Sequence, residues 1–169
     1  MDADALRALQ APLKDRYRED PATALVTLRA SGQVGDGVTC SVATGRALAD
    51  AGLHPATGGT GAHLCSGDML LEALVACAGV TLAAVATALE IPLRAARVHA
   101  EGDLDFRGTL AVERSAPVGF REIRLRFDLD TDADEDKVAA LLKLTERYCV
   151  VFQTIASPPQ LSVSVTRTH

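Results

Sequence analysis

The sequence contains no tryptophan, and aromatic residues make up only 4% of its 169 positions. A core without large aromatic rings has to be packed from alanine, valine and leucine, with close approach of the backbones. There is no run of lysine or arginine, and the net charge is −5, so the sequence lacks the electrostatic footprint of a nucleic-acid-binding protein. It also lacks a G-x-S-x-G motif, which argues against a hydrolase.

The four cysteines are Cys40, Cys65, Cys77 and Cys149, and no two of them form a C-x-x-C pair. This spacing argues against a zinc ribbon and against a thioredoxin-type motif. The first twenty residues are polar and acidic, without the hydrophobic stretch of a signal peptide. We therefore expect a cytoplasmic protein with reduced thiols, in which a pair of cysteines is more often catalytic than structural.

The longest apolar run extends from Ser66 to Ile91, and it has no charged residue between Ala73 and Leu89. A helix that is apolar on all sides is either a core helix or a membrane span. Glu72 lies inside the run, and no Trp, Tyr, Lys or Arg belt stands near its start. The neighbouring strands also need a partner that covers their apolar faces. The sequence therefore predicts a buried central helix, and no membrane partner.

The rest of the chain alternates between strand patterns and one further helix. Predicted strands cover residues 24–31, 38–44, 98–106, 123–129 and 161–165, a helical turn covers 45–51, and a helix covers 132–149. The strand at 123–129 has the clearest signal, because apolar and charged residues alternate along it. This order predicts an α+β fold. We expect a helical N-terminal arm at residues 1–20 and a single domain at 21–169.

A glycine-rich segment at 52–67 carries His54, His63 and Cys65 just before the central helix. These side chains are of metal-ligating types, but their spacing is not that of structural zinc sites. The segment is better interpreted as a surface loop whose glycines supply unusual backbone angles. The sequence therefore predicts no metal and no cofactor.

Two of the thiols stand on the two core helices. Cys77 is in the middle of the central helix, and Cys149 closes the helix at 132–149. A cysteine inside a buried helix behaves by default as a small apolar residue. If the two sulfurs meet, an apolar pocket with two thiols suits peroxide reduction, in which one thiolate becomes a sulfenic acid and the other condenses with it. Sequence spacing leaves both interpretations open.

The segments SGDMLLEALVACAGVTL and LTERYCVVFQT resemble those of the superfamily of osmotically inducible protein C (OsmC) and organic hydroperoxide resistance (Ohr) proteins. The resemblance implies antiparallel sheets wrapped around a long buried central helix, in an intertwined homodimer with its active sites at the subunit interface. It implies thiol-dependent reduction of organic hydroperoxides, with a thiol or dithiol as reductant. Carried over to this sequence, Cys77 is the peroxide-attacking thiol and Cys149 the resolving thiol.

The chain departs from the family pattern around these cysteines. The family's peroxidases activate the thiol with an Arg from the first hairpin and a Glu at the start of the central helix, and the candidates here are Arg29 and Asp68. Glu72, five residues before the thiol, can reach it only across a dimer interface. Val150 stands where the family commonly has proline. These departures motivate an alternative, a non-catalytic dimer that binds a small apolar ligand or serves the stress response.

Overall fold

The computed structural model describes residues 2–5, 8, 10, 11, 19, 31–34, 39–43, 48–111 and 113–167. Helices and antiparallel strands are combined in this part of the chain, which confirms the predicted α+β class. Among the described residues of the predicted arm, those at 3–5, 8, 10, 11 and 19 are helical and residue 2 is not. The division into an arm and one domain stays a prediction.

The described strands form two antiparallel sheets. The first has the order β1-β2-β3 and consists of β1 (Ser31–Val34), β2 (Thr39–Ala43) and β3 (Leu48–Gly52). The second pairs β4 (Ala95–Leu104) with β5 (Phe120–Asp130). The helices are α1 (Ser66–Ala88), α2 (Phe106–Thr109), α3 (Glu135–Tyr148) and α4 (Val150–Ala156).

The β4-β5 sheet supplies the surface on which the central helix α1 packs. Apolar residues of β5 at alternate positions, Ile123, Leu125 and Phe127, are half-buried, while the charged residues between them are exposed. This confirms the strand predicted from the period of two. The pairing extends the strand to Phe120–Asp130, because β4 offers partners along that whole length.

Helix α1 begins at Ser66, directly after the extended Cys65, and carries Asp68 in its first turn. It ends at Ala88, somewhat before the predicted end at Ile91. Glu90 has a positive φ of 55°, and this turn sends the Ile91 side chain back into the core, where it is 6% exposed. The apolar run is therefore helical as predicted up to Ala88. In place of the last predicted helical turn, the chain reverses before Pro92.

Only one stripe of α1 is buried within the described chain. Its members are spaced four residues apart, as expected for one face of a helix: Leu74, Ala78, Leu82 and Ala86. Val80, on another face, is 73% exposed. By length and composition α1 passes the test for a membrane-spanning helix, yet its buried stripe contacts β4, α3 and α4. The all-round burial predicted from the sequence is not achieved inside one chain.

Helices α3 and α4 complete the core beside α1. Asp134 caps α3 by accepting a hydrogen bond from the Lys137 N–H at 2.8 Å. Leu141 is fully buried, and the hydroxyl of the buried Thr145 donates to its carbonyl at 2.8 Å. The helix ends at Tyr148, and a second helix starts two residues later. The predicted helix at 132–149 is thus confirmed, and α4 is an addition.

Some predicted elements differ from the structure. The helical turn at 45–51 is wrong, because Leu48–Gly52 forms β3 and pairs with β2; pairing overrides the local preference of an alanine-rich segment. The predicted strand at 161–165 is also absent within one chain. No described strand pairs with this segment, and Val163 is 99% exposed. The strand predicted at 98–106 lies at Ala95–Leu104. The one predicted at 24–31 falls outside the described residues except for Ser31.

Candidate active site

Cys77 lies on α1 where that helix meets α4. The thiol is half-buried and packs in a cluster with the buried Leu74, Ala78 and Cys149. The remaining members of the cluster are apolar side chains of the sheet and of α4: Val98, Ala100, Ile123, Leu125, Phe127, Val151, Phe152 and Ile155. The fold therefore brings the two cysteines of the core helices into one apolar cluster.

Several polar groups lower the pKa of the Cys77 thiol. The donors are the backbone N–H groups of Val150 and Val151, the thiol of Cys149 and the hydroxyl of Thr81. Burial alone would raise the pKa of the Cys77 thiol, but these donors favour the thiolate and outweigh burial, so that the pKa lies below its ordinary value. Among the described residues, the groups that lower the pKa of this thiol are uncharged.

The pKa of the Cys149 thiol is shifted in the opposite direction. It is 1% exposed, and burial raises the pKa of its thiol. The N–H of Phe152 lowers that pKa, while the hydrogen bond to Cys77 and the charge of the Cys77 thiolate raise it, and the net shift is upward. The pair is therefore asymmetric, with the pKa of Cys77 below and the pKa of Cys149 above the ordinary value of a thiol. Such a pair combines a nucleophile with a thiol that is ready to resolve it.

The other residues predicted for the site do not join this cluster within one chain. Asp68 is exposed in the first turn of α1, nine residues before Cys77, which is about 13 Å along an ideal helix axis and on the opposite side. Glu72 is also exposed, and it is about 140° around the helix from Cys77. Arg29 lies outside the described residues.

The glycine-rich segment at 52–67 is held in part by local contacts of His54. His54 Nδ1 accepts a hydrogen bond from the Ala56 N–H at 3.0 Å, and its ring stacks on Phe106 with centroids 4.8 Å apart. Both His54 and Cys65 line a cavity of about 350 Å³ at the start of α1. Throughout the residues that the structure describes, no group of three His, Cys, Asp or Glu side chains is arranged to hold a metal ion.

The sequence interpretation missed Thr81, Val150 and Val151. Thr81 was visible as a hydroxyl four residues after Cys77, a spacing that places both side chains on one helix face. The valines offered no signal, because their contribution is a main-chain N–H. These N–H groups lie in the first turn of α4, where they have no acceptor inside the helix, because α3 ends at Tyr148 and α4 starts at Val150.

A wide apolar groove of about 620 Å³ lies next to the cysteine cluster. Leu70 and Leu74 of α1, residues of β5, and Phe152 and Ile155 of α4 line it. Charged side chains of Arg121, Glu122 and Glu146 also contribute to its lining. A groove of this size and composition fits the general pattern of sites for small apolar molecules.

Comparison with known proteins gives a consistent result. A family profile described as OsmC-like protein matches residues 59–164, more than half of the chain. An OsmC-like protein from Mycoplasma pneumoniae superposes with a TM-score of 0.65 at 15% identity, covering 79% of this chain and 89% of that one. A comparison with curated proteins found no match.

Two further solved structures are organic hydroperoxide resistance proteins. OsmC from Legionella pneumophila has a TM-score of 0.61 at 19% identity, with 79% of this chain and 91% of that one covered. OhrB of Bacillus subtilis has a TM-score of 0.52 at 18% identity, with 79% and 93% covered. At such identities the likeness shows a shared fold.

Proposed function

This chain belongs to the OsmC-like protein family, and on that premise we propose that it is a thiol peroxidase that reduces organic hydroperoxides. The observation that carries the proposal is the contact between Cys77, whose thiol pKa is lowered, and Cys149, whose thiol pKa is raised. Relatives that share the fold are organic hydroperoxide resistance proteins, which agrees with this chemistry.

The proposed reaction has two steps. The Cys77 thiolate attacks the terminal oxygen of the hydroperoxide, the O–O bond breaks, and an alcohol leaves after taking up a proton. Cys77 is then a sulfenic acid, and the Cys149 sulfur attacks it, so that a disulfide forms and water is released. An external thiol or dithiol reduces the disulfide by exchange and is itself oxidised. We place the protein in the cytoplasm, where such reductants are present.

Oxidation by cumene hydroperoxide or t-butyl hydroperoxide should consume two thiols per chain and join Cys77 to Cys149. The measurement is a thiol titration followed by peptide mapping of the oxidised protein. Cys65 serves as an internal control and should stay free in the same digest, because it lies at the start of α1, away from the pair. If Cys77 and Cys149 both remain free after stoichiometric peroxide, the peroxidase proposal fails.

A second candidate function has its own supporting observation. The apolar groove of about 620 Å³ is large enough for a small apolar molecule. In this alternative the chain binds such a ligand without chemistry, and the cysteines are packed core residues. Free thiols after peroxide treatment, together with saturable binding of an apolar fluorescent probe, would favour this alternative.

We further propose that the chain acts as a homodimer in which α1 is covered by a partner. The support is apolar surface that one chain leaves open. Val80 is 73% exposed in the middle of α1, and Leu161, Val163 and Val165 near the C-terminus are 85%, 99% and 83% exposed. Exposed apolar surface of this extent marks an interaction site, and a second copy that buries the same face is the commonest solution.

Replacing Val80 with aspartate should convert the dimer to a monomer, because a carboxylate would be buried without a partner at the interface. Light scattering after size exclusion should give twice the chain mass of 17.7 kDa for the unmodified protein and the single mass for the variant. Val118→Asp is the matched control, since Val118 is similarly exposed at 66% but lies in the loop before β5. A monomeric unmodified protein, or a V80D variant that is still dimeric, would contradict the proposal.

A further inference from the structure

Phe120 lies between two hollows of the structure. One is the apolar groove of about 620 Å³ beside the cysteine cluster, and the other is the cavity of about 350 Å³ at the start of α1. Among the residues that the structure describes, Phe120 is the one that lines both. Its half-buried ring therefore stands as a partition between the two spaces.

A bulge at the start of β5 brings the Phe120 side chain to this position. The register between β4 and β5 shifts between Asp103 and Leu104, so that Arg121 is an extra residue on β5. Phe120 and Ile123 are three residues apart, and the alternation of a regular strand would place them on opposite faces. The extra residue returns Phe120 to the face of Ile123, which packs in the cysteine cluster. Re-aiming a side chain in this way is a usual effect of a bulge beside a functional site.

Two glycines leave room for the Phe120 ring. Gly102 of β4 pairs with Ile123, and a Cβ on Gly102 would come within 2.5 Å of the ring atom Cε1. The ring therefore occupies the space that a side chain at position 102 would need. On its other side, a Cβ on Gly67 of α1 would lie 3.5 Å from the ring atom Cζ. The ring thus fills the gap between β4 and the first turn of α1 and closes this end of the groove.

The groove is continuous with the surroundings of Cys77. Gly67, beside the Phe120 ring, is ten residues before Cys77, which is about 15 Å along an ideal helix axis. The groove therefore runs along α1 from the cysteines towards Phe120. Six apolar side chains line the groove and also pack in the cluster that contains Cys77 and Cys149: Leu74, Ile123, Leu125, Phe127, Phe152 and Ile155.

We infer that Phe120 is a specificity-determining residue that limits the length of the alkyl chain that the groove accepts. The inference rests on the proposed peroxidase function and names its substrate class, primary alkyl hydroperoxides whose chain lies along α1 while the O–O group is at Cys77. Each methylene that is buried in the groove should strengthen binding about fourfold. A methylene that would have to pass Phe120 stays in water and adds nothing.

The test compares the dissociation constants of n-alkanols from butanol to dodecanol, which are the products of that reaction and carry the same chains. Isothermal titration calorimetry on the reduced protein should show an affinity that rises about fourfold per methylene and levels off before dodecanol. Phe120→Ala joins the groove to the cavity behind it, so the rise should continue to longer alkanols. Dodecanol should bind F120A at least about tenfold more tightly than it binds the unmodified protein.

Phe106→Ala is the matched control. Phe106 lines the cavity at the start of α1 but not the groove, so its loss enlarges that cavity and leaves the partition in place. F106A should therefore level off at the same chain length as the unmodified protein. An affinity that still rises at dodecanol in the unmodified protein, or one shared profile for F120A and F106A, would overturn the inference.

Phe120→Leu covers the case in which F120A does not fold. Leucine keeps an apolar side chain at the bulge but lacks the outer ring atoms that approach Gly67. The affinity for alkanols should then level off at a longer chain than in the unmodified protein. A profile of F120L that coincides with that of the unmodified protein would contradict the role given to the ring.

Alkanol binding needs no thiol chemistry, so the two proposals fail separately. If neither thiol reacts with peroxide but F120A binds longer alkanols, the peroxidase proposal is wrong and Phe120 still limits the groove. If the protein reduces hydroperoxides but F120A and F106A bind alkanols with the same profile, the peroxidase proposal holds and the inference about Phe120 is wrong.

Discussion

Replacing Cys77 with serine should lower kcat/KM for cumene hydroperoxide by at least about 10³-fold, because the reaction loses its nucleophile. A serine hydroxyl stays protonated at any pH at which the fold survives, and an alcohol does not attack a peroxide bond under these conditions. The change is nearly isosteric at a half-buried position, so the fold should be retained. The measurement is a coupled assay with an excess of a dithiol.

The matched control is Cys65→Ser, which alters another half-buried cysteine, directly before the start of α1 and twelve residues from Cys77. It should retain the activity of the unmodified protein. A C77S variant that keeps its activity, or a C65S variant that loses it, would move the chemistry away from Cys77.

The pH dependence of the same assay follows from the direction of the pKa shift. The attacking form is the thiolate, so kcat/KM should rise with pH through the pKa of Cys77 and level off above it. Because this pKa is lowered by the surrounding donors, the plateau should be reached at a lower pH than for an ordinary thiol.

The sequence predicted the parts of this fold that depend on local pattern. The uncharged stretch within 66–91 indicated α1, and the alternation at 123–129 indicated β5, because both are periodicities of a single element. The resemblance stated for the two cysteine segments is confirmed by the profile match over 59–164. The meeting of Cys77 and Cys149 was expected from two helices that share one core and from the family resemblance, which implies an attacking and a resolving thiol at these positions.

What the sequence could not predict depends on long-range pairing or on other chains. β3 forms from an alanine-rich segment only because β2 lies beside it. The alternation of Leu161, Val163 and Val165 resembles a strand, yet within one chain no described partner pairs with it. The main-chain groups of Val150 and Val151, which lower the pKa of Cys77, are placed by the end of α3 at Tyr148, and the exact end of a helix is hard to predict from sequence.

Replacing Cys149 with serine should preserve the first reaction of Cys77 with peroxide. It should abolish the protection of the resulting Cys77 sulfenic acid against further oxidation. In the unmodified protein the Cys149 thiol is buried in contact with Cys77, and burial raises its pKa. Contact at this range makes disulfide formation intramolecular, which gives it a large advantage over reaction with free peroxide. Serine is similar in size but cannot form the bond.

Excess peroxide without reductant should therefore leave C149S with two oxygen atoms added to Cys77, a sulfinic acid that ordinary thiols do not reduce. The unmodified protein treated in the same way should show the Cys77–Cys149 disulfide and no added oxygen. In the presence of limiting dithiol, C149S should lose activity within its first few turnovers, whereas C65S should continue to turn over. Intact-mass and peptide spectra distinguish these products. If C149S stays free of added oxygen and turns over at the rate of the unmodified protein, Cys149 is not the resolving thiol, and Cys77 must be reduced directly from outside.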